Sequence, residues 1–104
     1  MAVGLPRNNL DLLLMAALRR GPAHGYAIIA ALRESSDGEF DFAEGTIYPA
    51  LHRLEQSGLV ESAVAVTQGR RRRTYALTAR GSKEFAAQRR EWRQFVANMQ
   101  AVIA

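Results

Sequence analysis

The chain has 104 residues, 48% of them apolar, no cysteine, and a formal net charge of +4. That length suits one domain with a modest core. The missing cysteine excludes disulfides, thiolate metal sites and thiol chemistry and points to a reducing cytoplasm, no apolar run is long enough to span a bilayer, and the start Met1-Ala2-Val3-Gly4-Leu5-Pro6-Arg7 lacks the pattern of a signal peptide.

Leu10, Leu13, Leu14, Ala17 and Leu18 repeat at i, i+3, i+4, i+7 and i+8, which predicts an amphipathic first helix. Asn9 is its expected N-cap, Asp11 suits the positive end of the helix dipole, and Gly21-Pro22 ends it. A second helix is expected from about His24 to Glu34, with Ile28, Ile29 and Leu32 inward, broken by Ser35-Ser36-Asp37-Gly38. Asp37, Glu39 and Asp41 alternate as in a calcium loop. Phe42 stands where an EF-hand needs glycine and Tyr48 where it needs a bidentate Glu, so no metal site is read there.

The third helix starts between Glu44 and Ile47. Thr46 as N-cap places Pro49 in the first turn, where no amide bond is lost, whereas a start at Glu44 gives one up. Ile47, Leu51 and Leu54 form its apolar stripe; Gly45, Pro49, His52 and Gln56 lie opposite, with Arg53 at the edge. Gly58 ends it. Val60, Val64 and Val66 share a parity, as do Tyr75 and Leu77, which predicts a two-stranded hairpin whose turn leads into Arg70, Arg71, Arg72 and Arg73. Thr78 can cap a last helix of about 25 residues, near 37 Å long. Residues 1–69 hold five Arg against eight Asp/Glu and residues 70–104 hold eight Arg and one Lys against two Glu, so the side facing a polyanion is expected to begin at the arginine run.

Gly21-Pro22-Ala23-His24-Gly25-Tyr26, Gly45-Thr46-Ile47-Tyr48-Pro49-Ala50-Leu51-His52-Arg53-Leu54-Glu55, Gly58-Leu59-Val60, Gly69-Arg70-Arg71-Arg72-Arg73 and Leu77-Thr78-Ala79-Arg80-Gly81 occur in one order, and together they closely resemble the PadR-type transcriptional regulators. The resemblance runs over about residues 8–100 and is to the short subfamily with a single C-terminal helix. It implies a homodimeric winged-helix repressor whose third helix enters the major groove, whose wing touches backbone or minor groove, and whose last helix dimerises. Two departures stand out. Ala27 follows the His-Gly-Tyr triplet where members often carry Glu, and Ala63-Val64-Ala65 occupies the first wing strand where many carry Trp.

The fold expected is therefore mainly α with a two-stranded β-wing: a winged helix-turn-helix over 8–78 and a C-terminal dimerisation helix over 79–104. Thr46 and Tyr48 are the candidates for phosphate contacts at the third helix, where backbone N–H groups also favour anions. Gly45 and Pro49 let the backbone approach the groove; His52 and Arg53 are the candidates for base edges, since arginine pairs bidentately with guanine. The resemblance gives Tyr26 a backbone contact or a buttressing role, and His24 a structural one. Arg70 to Arg73 alternate sides of a strand, so two or three of them are expected to reach phosphates.

In the last helix, Phe85, Trp92, Phe95, Met99 and Val102 take a/d positions, with Val96 and Ile103 widening the seam. A dimer through this seam, helped by Leu10 and Leu14 of the first helix, is expected. Trp92 matches a position at which some relatives grip flat, apolar molecules, so two readings stand side by side: an interface filled by its own side chains, and one that holds a small planar aromatic effector. The function read is a sequence-specific DNA-binding regulator, a homodimeric repressor on a pseudo-palindromic operator. The alternative is a winged-helix adaptor that binds protein rather than DNA. An enzyme is a distant third, with no nucleophile setting and no carboxylate pair isolated from water. No cofactor is expected, and a membrane-surface role fits poorly because the apolar seam is better used in a dimer.

Overall fold

The computed structural model describes residues 7–104; the leading Met1–Pro6 segment, and with it the reading that the chain lacks a signal peptide, lies outside the described residues. The elements follow in the order α1 (Arg7–Leu18), β1 (Ala23–His24), α2 (Gly25–Ser35), α3 (Glu44–Gln56), β2 (Val60–Thr67), β3 (Arg70–Leu77) and α4 (Ala79–Ile103). Helices α1, α2 and α3 wrap one apolar core, in which Leu14, Met15, Ile28, Ile47 and Leu51 are fully buried. Burial of each such side chain contributes about 1.5–3 kcal/mol, and the i, i+3, i+4 spacing supplies it from one face of each helix.

Helix ends follow local chemistry. Gly58 takes φ 78°, letting its N–H reach the Glu55 carbonyl and the Leu59 N–H reach that of Leu54, a paired closure that ends α3. Asp37 at φ 53° does the same for α2, its N–H on Glu34 and that of Gly38 on Arg33. The wing turns on Gln68 and Gly69, both at positive φ, the two-residue geometry that matches the twist of paired strands.

Four expectations are corrected. Helix α1 already begins at Arg7, so Asn9 lies inside it and does not cap it, and Asp11 is past the first turn. Helix α3 begins at Glu44 with Ala43 as its cap, because the Ala43 carbonyl accepts from both Thr46 and Ile47; Thr46 is therefore helical, not the cap. Pro49 then sits in the helix interior and gives Gly45 no N–H, a loss tolerable on this exposed face where water can serve the carbonyl. The predicted hairpin of β2 and β3 is present, and a short third strand joins it, in the order β1-β3-β2, all antiparallel. Ala23 pairs with Tyr75 and His24 with Thr74, so the stretch before α2 extends the wing's base.

The start of α4 is bolted to the end of α3. Thr78 caps α4 by accepting from the Gly81 N–H at 3.0 Å and donates to the Gly58 carbonyl at 2.7 Å, while Arg80 reaches the Ser57 carbonyl at 3.0 Å. Gly81 presses against the Leu59 carbonyl so closely that no Cβ fits there. Beyond Phe85, α4 leaves the core, giving the molecule its 53 Å long axis.

Candidate nucleic-acid interface

Helix α3 turns Gly45, Thr46, Pro49 and His52 to the exterior, all exposed. A Cβ built on Gly45 meets nothing within 4 Å, so no packing inside the protein requires glycine there. A glycine inside a helix costs about 0.5–1 kcal/mol relative to alanine. That unpacked, short-chained surface is what close approach of a groove asks for.

Arg53 is placed differently from the sequence reading. Its guanidinium donates to the Asp11 carboxylate at 2.6 Å, tying α3 to α1 across the core's edge. The pair is partly exposed and its net contribution is small, below about 1 kcal/mol. It nonetheless directs Arg53 back along the protein rather than outward. Asp11 was legible only as a helix-dipole residue, since nothing in sequence links it to a position 42 residues on.

Tyr48 lies over the start of α2, and Gly25 is what admits it: a Cβ at Gly25 would run into the phenol ring. Tyr48 is thus half-buried, partly packed on the core, with its hydroxyl at the surface cleft. Tyr26, one residue on, is exposed. The Glu44 carboxylate accepts its hydroxyl proton in a hydrogen bond and adds its own negative charge, and both hold the Tyr26 phenol above its ordinary ionisation range.

The arginines of the wing divide along the strand. Arg70 pairs with Thr67 and Arg71 with Val66 beside the turn, both exposed. Arg72, on the same strand face as Arg70, reaches back to the start of α2, its guanidinium 2.6 Å from His24 Nε2. Arg73 donates to the Ser62 hydroxyl at 3.0 Å, and that hydroxyl donates to Glu55 of α3 at 2.7 Å. Two arginines are therefore at the tip and two are held at the base, one against α2 and one through Ser62 against α3. His24, Gly25, Tyr26, Tyr48 and Arg70 to Arg73 line one open cleft of about 520 Å³ between helix ends and wing.

The residues expected to dimerise also divide. Leu14 is wholly buried and Phe85 is 7% exposed, so both belong to this protomer's own core rather than to a second copy. Phe85 fills the gap between α1 and α4 and lies under Arg19 and Arg89, 5.9 Å and 5.1 Å from its ring centre. Leu10 is half-buried against the same core. Trp92, Val96, Met99 and Val102 are exposed, and Phe95 is half-buried beside Trp92 with ring centres 5.6 Å apart. Among the described residues no cluster of three or more metal-ligating side chains occurs, and no helix is long and apolar enough to cross a membrane.

Residues 13–87, the second half of α1, α2, α3, the wing and the start of α4, match the pattern of the Transcriptional regulator PadR-like family. This chain is a member of the PadR-like family. The PadR-like proteins are transcriptional regulators and not enzymes. A 58-residue stretch, 56% of this chain, is 41% identical to the transcriptional regulator Rv3488 of Mycobacterium tuberculosis and spans about half, 54%, of that relative's length. A PadR family transcription regulator from Clostridium difficile superposes with a TM-score of 0.79 at 31% identity, covering 91% of this chain and 98% of that one. Bacillus subtilis PadR in complex with operator DNA shares the fold, with a TM-score of 0.71 at 24% identity over 80% of this chain and 48% of its own.

The two departures from the PadR pattern have simple structural settings. Ala27 contributes its backbone N–H to the His24 ring, so the cap of α2 does not depend on its side chain. Ala63, Val64 and Ala65 lie exposed on β2, where the pairing with Arg72, Arg73 and Thr74, not a packed aromatic, keeps the wing in register. The sequence reading missed Gly25, Asp11, Ser62 and Glu55. For Gly25 the signal was present, a glycine in a helix's first turn; the others become visible only when α1, α3 and β2 are brought together.

Proposed function

We propose that this PadR-like regulator is a homodimeric repressor that reads a pseudo-palindromic operator in the cytoplasm, with 8–78 as the reading unit and 79–104 as the dimerisation helix. The observation that carries the reading is the open face of α3 at Gly45, exposed and without packing duty, beside a cleft walled by four arginines. A short, unpacked helix face suits the major groove, and a row of guanidinium groups suits the phosphates that flank it. The complex of Bacillus subtilis PadR with operator DNA supports the same use of the fold.

Thr46, Tyr48, Tyr26 and the tip arginines Arg70 and Arg71 serve the backbone, and His52 is the candidate for a base edge. Two α3 helices related by a two-fold axis would meet half-sites about 10 bp apart or a multiple of that. The exposed Trp92, Phe95, Val96, Met99 and Val102 supply the dimer seam, and a planar aromatic ligand held at Trp92 would favour a dimer geometry mismatched to the operator. The test is fluorescence anisotropy on DNA from the upstream region against a scrambled duplex, across a salt series. Preference for the upstream DNA with a steep salt slope is the expected result. A folded protein that binds neither duplex at low salt would transfer the function to protein–protein contact.

A further inference from the structure

His24 occupies two positions at once. Its Nδ1 accepts the Ala27 N–H at 3.2 Å and so caps α2. A neutral imidazole has one N–H and one lone pair. With the lone pair spent on the cap, the proton belongs on Nε2. Nε2 lies 2.6 Å from the Arg72 guanidinium, which can only donate. The ring's single lone pair cannot serve both the Ala27 N–H and Arg72, and in the capping tautomer the Nε2–H and the guanidinium are two donors side by side at the wall of the cleft. Moving the proton to Nδ1 would let Arg72 bond to Nε2 but would set a donor against the Ala27 N–H and forfeit the cap.

We propose that His24 and Arg72 form a clamp for one phosphate of a DNA strand, whose anionic oxygen accepts from both His24 Nε2–H and the Arg72 guanidinium. This rests on the reading that the cleft faces DNA. The geometry suits it in three ways. The cap fixes the ring's orientation, so the Nε2–H is aimed before any ligand arrives. Gly25, beside the ring, adds no side chain to the cleft floor, and the Tyr26 and Tyr48 side chains stand at its edge. Arg70 shares a strand face with Arg72, two residues or about 7 Å along, so the clamp continues into a row of cations as a phosphate chain requires. A carboxylate could satisfy the two donors but would leave that row unused. The long Arg72 side chain, half-buried in a cleft of about 520 Å³, has room to retreat and admit the oxygen.

The test is nitrogen–proton correlation spectroscopy of the histidine rings and arginine side chains in wild type, His24→Ser and Arg72→Gln protein. Spectra are taken first without ligand, then with inorganic phosphate, then with a short duplex. Serine keeps a cap acceptor, so thermal melting serves as the folding control. In the free protein the Ala27 N–H is expected on a bare His24 Nδ1, with the ring proton on Nε2. Phosphate should saturably shift the His24 and Arg72 signals, and its affinity should fall about tenfold in either variant. The duplex should move the same signals. A proton on Nδ1 would overturn the clamp, since Arg72 would then have its acceptor. Phosphate shifts spread evenly over all four wing arginines and unchanged in His24→Ser would overturn it equally. Saturable phosphate binding at His24 with no response to the duplex would keep the anion clamp and remove the DNA-binding reading.

Discussion

Helix α3 turns Gly45, Pro49 and His52 to the solvent, whereas the distal half of α4 turns Trp92, Val96, Met99, Val102 and Ile103 to it. Both faces are free in the single chain, but water receives them differently. The α3 face is small and polar and loses nothing by staying wet. The α4 face keeps apolar area exposed that would be stabilised by about 25 cal/mol for each Å² covered. One surface suits a hydrated, charged partner; the other, in the proposed dimer, is half of a core. The wing repeats the lesson on a smaller scale: Arg70 and Arg71 stand free at the tip, while Arg72 and Arg73 are held at the base.

The largest effect is expected at the apolar face of α4. Replacing Val96 and Met99 together by Glu should weaken self-association by about 100-fold or more, read by light scattering on a sizing column. The melting behaviour of the three-helix core should change little. A variant that keeps the wild-type mass would refute the dimer seam.

Two glycines give the next test, because one is packed and the other open. Gly81→Ala forces a Cβ onto the Leu59 backbone carbonyl, which cannot rotate away, and should cost about 3 kcal/mol in urea unfolding. Gly45→Ala, in open space, should instead stabilise by about 0.5–1 kcal/mol. Gly45→Leu should leave folding intact yet abolish DNA binding, and retained binding would mean that α3 does not enter a groove.

Neutralising both tip arginines, Arg70→Gln with Arg71→Gln, should lower the slope of log affinity against log salt by about 1.8 for each protomer, about 3.6 for the proposed dimer, if each arginine meets one phosphate. An equal slope would make them solubilising charges only. The smallest effect concerns the core side of the wing. Burial raises the Tyr75 phenol above its ordinary 10.0, against an opposing pull from the Arg73 charge. The unfolded chain therefore releases that proton first. The stabilisation is present below that ordinary value and fades as pH rises above it, an alkaline loss that Tyr75→Phe should reduce in a pH series of unfolding curves.

The helices, the arginine-bearing turn and the helix caps at Thr78 and Gly58 were legible because each follows from contacts within a few residues: apolar period, proline placement, the positive φ that glycine permits. The α3 start falls at the early edge of the expected Glu44 to Ile47 range, and only its cap was misread. Proline tolerance favoured Thr46 as the cap, but the Ala43 carbonyl collects two N–H groups and extends the helix backward. The third strand escaped notice because two residues, Ala23 and His24, carry no periodicity and find their partners about 50 positions away in Tyr75 and Thr74.

The candidate site was readable to the same depth. The residue types facing outward from α3 and the cations of the wing follow from a helical wheel and a strand's alternation, and the family pattern follows from their order. Which of those groups stay free was decided by the tertiary fold. Arg53 is taken by Asp11, Arg73 by Ser62 and Glu55, Phe85 and Leu14 by the core, and His24 is set opposite Arg72. The elements and the character of each face are written in the residue order, because those depend on local periodicity and composition. Only the packed structure decided which polar groups meet, because a hydrogen bond or ion pair needs its partners within about 3 Å, and only the fold brings distant positions that close.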